Sequence, residues 1–306
     1  MPQTLVGGVP LWLLKATALA VGAAFGSFAN VLIWRIPRGE SVVRPGSHCP
    51  SCNAPIRWYD NIPVLSWVVL GGRCRRCKGA ISLRYPLIEL CLAVLSLASL
   101  YLAMATAPQG AGLLGIGALW FFPFAFCLLL VAITFVDLEH WRIPPSLAIP
   151  GAVLGVLRAL LAPDLFGVSL KSALLGLAVG AIGLAAVAEV WYLCTRREGM
   201  GYGDVMLLGM IGAFLGVGAL PFVLLAASLQ GLLVSVPLLL LGHRERPPWE
   251  GPQASDPEAK PVGGSVLRSP IPFGPFLALG AMEWLFFGDA VNALMEAALY
   301  ERHLGA

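Results

Sequence analysis

The sequence predicts an all-α polytopic membrane protein of about eight transmembrane helices, with a small zinc-ribbon-like module on the cytosolic side. Three observations predict this class. The chain of 306 residues is 58% hydrophobic and only 12% charged, whereas soluble domains carry about a quarter charged residues. Its apolar runs are long enough to cross a bilayer. Its basic residues gather in the connections on one side of those runs.

Seven apolar runs account for the eight predicted spans. They lie at about 9–34, 86–107, 111–136, 147–162, 168–194, 205–241 and 271–287. A helix needs about 20 residues to cross the hydrocarbon core, so the run at 205–241 is too long for one span. Gly216, Gly218 and Pro221 predict a break inside it, giving a short sixth helix and a longer seventh one. A very apolar soluble bundle is the alternative to this membrane topology.

The basic residues predict the orientation of the chain. Nine of the 20 Lys and Arg residues lie between 35 and 84. The opposite side keeps Lys171 and Arg302. Because cytoplasmic loops carry an excess of Lys and Arg, both termini are predicted outside and the basic segment in the cytosol. The net charge of +3 is therefore a feature of topology, and the expected partner is the lipid bilayer rather than nucleic acid.

This topology divides the chain into three parts. Residues 1–34 form the first transmembrane helix, 35–85 a cytosolic module, and 86–306 the remaining transmembrane bundle. Within the bundle, residues 243–269 are rich in Pro, Gly and charge, a composition that predicts a flexible cytosolic loop.

Four of the seven cysteines predict a metal site in the cytosolic module. They form two C-x-x-C pairs, CPSC and CRRC, at Cys49, Cys52, Cys74 and Cys77. This spacing is typical of a Cys₄ zinc ribbon, in which two tight turns complete a tetrahedron of thiolates. Two disulfides are the alternative, but disulfides are rare in the cytosol. With no open coordination position expected, the zinc is predicted to be structural.

Two aspartates stand at the ends of spans. Asp137 ends the third span, in ITFVDLEHWRIPP, and Asp204 begins the sixth, in EGMGYGDVML. The topology brings both to the cytoplasmic membrane surface. Two close carboxylates cannot both ionise easily, so such a pair offers an acid and a base at one site. The alternative is two unrelated interfacial carboxylates, with Asp204 capping a helix.

The glycines before Asp204 are Gly199, Gly201 and Gly203. We interpret them as a flexible segment that adopts backbone conformations closed to other residues and lets a substrate strand approach. Glu89, Glu189 and Glu283 also lie in spans, where a polar contact between helices is the simplest interpretation.

Several stretches, in order, resemble the bacterial type IV prepilin peptidases, a family of GxGD-type membrane aspartic proteases. They are GAAFGSFANVLIWRIPRG, HCPSCNAPIRWYDNIPVLSWVVLGGRCRRCKGAISLRYPLIEL, VDLEHWRIPPSLAIPG, GMGYGDVMLLGMIGAFLG and IPFGPFLALG. The resemblance covers about residues 22–280. It departs from the family at Met206, where a lysine is common, and at Pro145, where Asp or Asn is common.

The resemblance implies that Asp137 and Asp204 are the catalytic aspartates. It implies cleavage of the basic leader of prepilins or prepseudopilins at the cytoplasmic face of the bacterial inner membrane, for type IV pili or type II secretion. For members with the cysteine module it also implies N-methylation of the new amino terminus with S-adenosylmethionine.

Polar residues in the matched stretches are candidates for the substrate or methyl-transfer side of the protein. They are Asn30, Asp60, Asn61 and Glu89. Three alternatives remain open from the residues: a peptidase that does not methylate, a non-catalytic zinc-bearing scaffold for pilus or secretion assembly, and a transporter with carboxylates as a proton relay.

Overall fold

The structure is a computed structural model that describes residues 5–6, 8–161, 163, 167–196, 201–240 and 272–304. The predicted flexible loop at 243–269 lies outside these residues. A two-stranded antiparallel hairpin comes first, with β1 at Leu5–Val6 and β2 at Val9–Pro10. Helices form almost all of the rest.

Within the described residues, ten α-helices follow in chain order. They are α1 Leu11–Arg35, α2 Leu65–Val69, α3 Arg84–Thr106, α4 Leu113–His140, α5 Pro145–Leu161, α6 Leu170–Ala178, α7 Leu184–Thr195, α8 Tyr202–Leu215, α9 Leu220–Leu240 and α10 Gly274–Leu304. A π-helical segment, Val179–Gly183, joins α6 and α7 into one rod. Short 3₁₀ turns lie at Ile36–Arg38, Trp58–Asn61 and Val217–Ala219.

Six helices of the described chain are long and apolar enough to cross a membrane. They are α1, α3, α4, the α6–α7 rod, α9 with the turn before it, and α10. Two further apolar helices, α5 and α8, are shorter, with 17 and 14 residues. The all-α membrane class is confirmed, and the eight predicted spans correspond to six full-length helices and these two shorter ones.

The predicted break between the sixth and seventh spans is confirmed. Helix α8 ends at Leu215, and Gly216 follows with φ 84° and ψ 166°, a backbone conformation that favours glycine. After the 3₁₀ turn, α9 begins at Leu220 with Pro221 in its first turn, where proline costs no helical hydrogen bond.

Helix α8 lies at the centre of the bundle. Every residue from Leu207 to Leu215 is buried, and the helix packs against α4, α5, α6 and α10. Small residues let the neighbours approach: a Cβ at Gly155 would lie 2.7 Å from the backbone of Ala213 and Phe214. Packing of this kind associates helices in membranes.

Helices α1 and α3 cross closely in the same way. A Cβ at Gly22 would lie 2.5 Å from the carbonyl oxygen of Leu92. Ser96 donates a hydrogen bond of 2.6 Å to the carbonyl of Ala18. The chain between these two helices, residues 36–83, forms the cysteine-bearing module, so the module is held at both ends by one tightly packed helix pair.

Candidate active site and metal centre

Asp137 lies in the last turn of α4 and is only 6% exposed. The helix ends soon afterwards because Trp141 adopts a left-handed conformation with φ 54°. Pro144 and Pro145 follow, and proline cannot continue an α-helix without the loss of a hydrogen bond. Pro145 itself becomes the first residue of α5, a position that suits proline. The sequence thus ends α4 just beyond a buried carboxylate.

The first residue of helix α10 packs against the side chain of Asp137. The backbone N–H of Gly274, the first residue of α10, donates a hydrogen bond to the Asp137 carboxylate. A Cβ at position 274 would lie 2.5 Å from Oδ2 of Asp137, a distance that no real Cβ contact tolerates. Position 274 therefore has room only for glycine while Asp137 keeps this place.

Asp204 is the third residue of α8 and is half-buried. Gly201 is the N-cap residue of that helix, and no side chain caps it. The interpretation of Asp204 as the helix cap is therefore wrong. Its backbone N–H donates to the carbonyl of Gly201 at 3.1 Å, which leaves the side chain beside the first turn of α8.

The fold brings Asp137 and Asp204 together. Their carboxylates are close enough to interact electrostatically. Ile143, which follows Asp137 in the chain, packs against Gly203, the residue before Asp204, and against Gly274. A Cβ at Gly203 would lie 2.9 Å from Cβ of Ile143, and a Cβ at Gly274 would lie 3.1 Å from its Cδ1. Two carboxylates from different helices are therefore neighbours at one end of the bundle, and they are candidates for one site.

The backbone conformations closed to other residues that were predicted for the glycines do not occur at Gly201 and Gly203, while the approach of a substrate strand stays a prediction. Gly201 is extended, with φ −78° and ψ 142°, and Gly203 is helical without a positive φ. Gly203 is needed instead for its close packing against Ile143. Gly199 lies outside the described residues.

Other carboxylates in the bundle make ordinary contacts. Glu283 accepts a hydrogen bond of 2.8 Å from Gln230, as expected for a polar contact between helices, and Glu189 is exposed on α7. Glu139, two residues after Asp137, forms an ion pair with Arg84 at the start of α3. That ion pair joins the end of α4 to the helix that leaves the cysteine module.

The four cysteines of the C-x-x-C pairs form one cluster. Their sulfur atoms all lie within 4.8 Å of one another, and the Sγ atoms of Cys49 and Cys77 are 3.8 Å apart. Zn–S bonds of about 2.3 Å in a tetrahedron place sulfurs about 3.8 Å apart. The cluster is therefore able to hold a metal ion, and the chain has the donor set that zinc prefers.

The two C-x-x-C turns have the same backbone geometry. The N–H of Asn53 donates to the carbonyl of Cys49, and that of Lys78 donates to Cys74, at 2.8 and 3.0 Å. Asn53 and Lys78 both have a positive φ, 54° and 60°. Backbone N–H groups of Cys77 and Arg76 point at the Cys74 sulfur and lower the pKa of that thiol to about 6, so it is largely a thiolate at neutral pH.

A cavity of about 1040 Å³ separates the module from α1 and α3. All four polar residues that the sequence singled out line it: Asn30, Asp60, Asn61 and Glu89. Two of the metal-cluster cysteines, Cys49 and Cys74, line it as well. Asp137 and Asp204 do not belong to its wall, so the molecule has two separate candidate sites.

Two buried side chains give this cavity its chemistry. The amide nitrogen of Asn30 donates to the carbonyls of Gly26 and Tyr85, both at 3.2 Å, while its Oδ1 has no partner among the described residues. Glu89 accepts hydrogen bonds from the N–H of Val64, at 2.6 Å, and from Ser27. An unpaired buried oxygen is costly, so Asn30 is a polar side chain of this wall whose hydrogen-bonding capacity is not fully used within the described residues.

Asp60 sits on the outer wall of the cavity in an ion pair with Arg75. The Oδ1 atom lies 2.7 Å from the guanidinium. The hydrogen bonds from Arg75 hold the pKa of Asp60 below its usual value, so this carboxylate is charged at neutral pH.

Sequence reasoning missed Gly274, Ile143, Ser27 and Val64. Gly274 stood in the matched stretch IPFGPFLALG, but nothing local to that stretch indicates that it meets Asp137. Val64 has a φ of 61°, which is rare for a β-branched residue. No feature of the sequence predicts this backbone conformation.

Comparison with known proteins covers both parts of the chain. The model of the Bacterial Peptidase A24 N-terminal domain matches residues 20–103, and that of the Type IV leader peptidase family matches residues 124–236. A protein of Aeromonas hydrophila called prepilin leader peptidase/N-methyltransferase is 36% identical over 94% of this chain and 95% of its own. Proteins of the same name from Myxococcus xanthus and Pseudomonas aeruginosa are 35% and 33% identical, over 90% and 92% of this chain and 91% and 93% of theirs.

The chain belongs to the type IV leader peptidase family. It is accordingly a membrane enzyme, a peptidase with an associated methyltransferase activity. The first family model covers the second part of α1, the cysteine module and most of α3, and the second runs from within α4 into α9. No solved structure matches this leader peptidase.

Met206 lies two residues after Asp204, where the resemblance led us to expect a lysine. The residue is partly buried and packs against the apolar core of the bundle. A methionine there fits its surroundings without a charge partner.

Proposed function

We propose that this protein cleaves the leader from prepilins or prepseudopilins at the cytoplasmic face of the bacterial inner membrane, and then methylates the new amino terminus. Asp137 and Asp204 carry the cleavage, within the transmembrane part at 86–306. The module at 35–85, with Asn30, Glu89, Asp60 and Asn61 around its cavity, serves the methyl transfer. The meeting of two carboxylates from α4 and α8 at one site is the observation that carries the proposal.

The two aspartates act together on a water molecule. The ionised carboxylate takes a proton from the water, whose oxygen attacks the carbonyl carbon of the scissile bond. The protonated partner donates a hydrogen bond to the developing oxyanion and then passes its proton to the leaving amine. Because two coupled carboxylates titrate as a unit, the roles of base and acid belong to the pair.

The N–H of Gly274 keeps Asp137 in place during this cycle. Its hydrogen bond fixes one oxygen of the carboxylate, and the other remains for water and substrate. The substrate's apolar helix enters from the bilayer among the spans, with its basic leader in the cytosol, so the scissile bond reaches the level of Asp137 and Asp204.

The cavity beside the module suits the methyl-transfer step. S-adenosylmethionine, when bound, supplies an electrophilic methyl group on a sulfonium. Asn30 lies in the cavity wall, and its amide is a candidate group for binding the substrate's new amine. The buried carboxylate of Glu89, already held by Val64, would favour the positive charge of the sulfonium. It is also a group in the cavity wall that could take the proton the amine must lose to receive the methyl group.

Zinc held by Cys49, Cys52, Cys74 and Cys77 has a structural role. All four ligands come from the protein, which leaves no open position for a substrate. A module of this size has a small core, so metal binding supplies much of its folding free energy. Since Cys49 and Cys74 line the cavity, loss of the metal also opens the cavity wall.

The test of the cleavage proposal is substitution of each aspartate by asparagine. Asp137→Asn and Asp204→Asn keep the size of the side chain but remove the ionisable group. Each variant should lose at least about 100-fold in leader cleavage while remaining in the membrane at the wild-type level. Normal cleavage by either variant would refute the dyad. Unaltered assembly of pili by both would favour a scaffold instead.

A further inference from the structure

Helix α2 presents an apolar face that nothing in the described chain covers. Leu65, Val68 and Val69 are 63%, 63% and 79% exposed, within a helix of only five residues. The intervening residues face the other way: Ser66 and Trp67 line the cavity. One side of α2 therefore packs on the module, and the other side consists of exposed apolar side chains.

The helix is fixed rigidly to the module. The indole of Trp67 donates a hydrogen bond of 3.1 Å to the carbonyl of Ile81, and Ser66 donates to the carbonyl of Tyr59 at 3.0 Å. The close packing of Gly72 on the Trp67 ring leaves no room for a Cβ, which would lie 2.8 Å from the ring. These contacts hold α2 in one orientation, in which Leu65, Val68 and Val69 point away from the module.

A hydrogen bond fixes the depth of α2 relative to the membrane. The N–H of Val64, immediately before α2, donates to Oε2 of Glu89 at 2.6 Å. Glu89 is the sixth residue of the spanning helix α3, which starts at Arg84, so it lies about 7.5 Å along the helix axis. The 23 residues of α3 extend about 34 Å, against a hydrocarbon core of about 30 Å. Val64 and α2 therefore lie at the boundary between head groups and hydrocarbon.

The charges around α2 fit an anionic membrane surface. Three basic residues of the same module flank the helix in the sequence: Arg57, Arg73 and Lys78. Basic residues beside an apolar helix face are the combination that holds interfacial helices on anionic leaflets. Trp58, in the 3₁₀ turn that packs against α2, is 81% exposed, and tryptophan is enriched at membrane interfaces.

We propose that Leu65, Val68 and Val69 insert into the bilayer leaflet on the side of the module, so that α2 anchors the cysteine module to an anionic lipid surface. The anchor closes the module over α1 and α3 and keeps the cavity at the level where a membrane-borne substrate emerges. This inference depends on the depth and exposure of α2 and not on the assignment of the catalytic residues.

The test uses the full-length protein in nanodiscs made from equal parts of phosphatidylcholine and phosphatidylglycerol. An environment-sensitive fluorescent amino acid replaces Val69 in one sample and, as the matched control, the exposed Arg76 between the second pair of cysteines in another. Lipids brominated near the head-group end of the acyl chain serve as quenchers.

The label at position 69 should show blue-shifted emission and several-fold quenching, while the label at position 76 should keep its aqueous spectrum. Aqueous emission at 69, or equal quenching at both positions, would overturn the proposal; in the first case a protein partner rather than lipid would have to cover the face. If the label at 69 disrupts the module, seen as loss of bound metal, Val68 and Leu65 share the same face and replace it in the measurement.

Discussion

Single residues around Asp137 determine whether the carboxylate keeps its position. Gly274 donates its N–H to that carboxylate, and a methyl group at 274 would lie 2.5 Å from Oδ2. Gly274→Ala should therefore push Asp137 aside. A displacement of about 1 Å costs up to roughly 100-fold in rate, so the rate of leader cleavage should fall by about that factor with little change in substrate KM.

Gly117→Ala is the matched control for this substitution. Gly117 lies in the same helix as Asp137, and a Cβ there would meet nothing within 4 Å. The variant should cleave at the wild-type rate. Equal rates for Gly274→Ala and Gly117→Ala would show that Gly274 does not position Asp137.

Glu89, in the cavity proposed for methyl transfer, should separate the two activities. Glu89→Gln keeps an oxygen to accept from Val64 but removes the negative charge. Methylation of a cleaved substrate should fall by 10-fold or more, since an interaction with a charged group contributes about 1.5–3 kcal/mol. Leader cleavage, measured on the same samples by mass spectrometry, should stay unchanged; a parallel loss of both would indicate a purely structural role for Glu89.

The residues proposed to react and to bind metal could be singled out from the sequence because each one is unusual in its surroundings. Asp137 and Asp204 are carboxylates beside apolar runs, and the cysteines occur in two identical spacings. Gly274 and Ile143 could not be predicted, because their role exists only once α10 packs against the end of α4. The role of Gly203 was misread for the same reason: close packing and conformational freedom both require glycine, and only the fold distinguishes them.

Among the helices, the crossing of α6 and α8 depends on two glycines. A Cβ on Gly212 would overlap the backbone of Gly176, and the reverse holds as well. Gly212→Ala should therefore destabilise the protein by about 1–3 kcal/mol through overpacking. Thermal unfolding in detergent measures this, with Gly183→Ala as the control, since a Cβ at 183 meets only Val179 at 4.0 Å. Equal melting temperatures would contradict the tight crossing.

The pair of C-x-x-C turns forms one structural element that metal should hold together. Cys74→Ser should lower the zinc content of the purified protein from about one per chain to near zero and expose residues 36–83 to proteolysis. Cys194→Ser, at an exposed cysteine of α7, should leave both unchanged. Full zinc content in Cys74→Ser would exclude the four-cysteine site.

Element boundaries were predictable where backbone chemistry dictates them. Gly216 and Pro221 end α8 and begin α9 as the sequence predicts. The short lengths of α5 and α8 were less evident, since an apolar run does not show whether lipid or protein surrounds it. The π-helical segment at Val179–Gly183 has no sequence signature, because it arises from the way the α6–α7 rod packs on α8: a Cβ at Gly180 would lie 2.5 Å from the carbonyl of Leu208.

At the scale of the whole molecule, two sites lie on two parts of one membrane bundle. The cavity beside the cysteine module is formed with α1 and α3, and the aspartates lie between α4 and α8, near the start of α10. The Arg84–Glu139 ion pair and the packing of α3 on α4 connect the two parts. Cleavage produces the amine that methylation consumes, so this arrangement places consecutive steps in one enzyme while leaving each step its own residues.

The most direct test of this account is the mass of a prepilin after incubation with the purified enzyme and S-adenosylmethionine. The wild type should release the leader and add one methyl group. Asp137→Asn and Asp204→Asn should leave the leader attached, yet both should methylate a substrate supplied without its leader. Removal of the leader by either variant would contradict the central claim that these two carboxylates perform the cleavage.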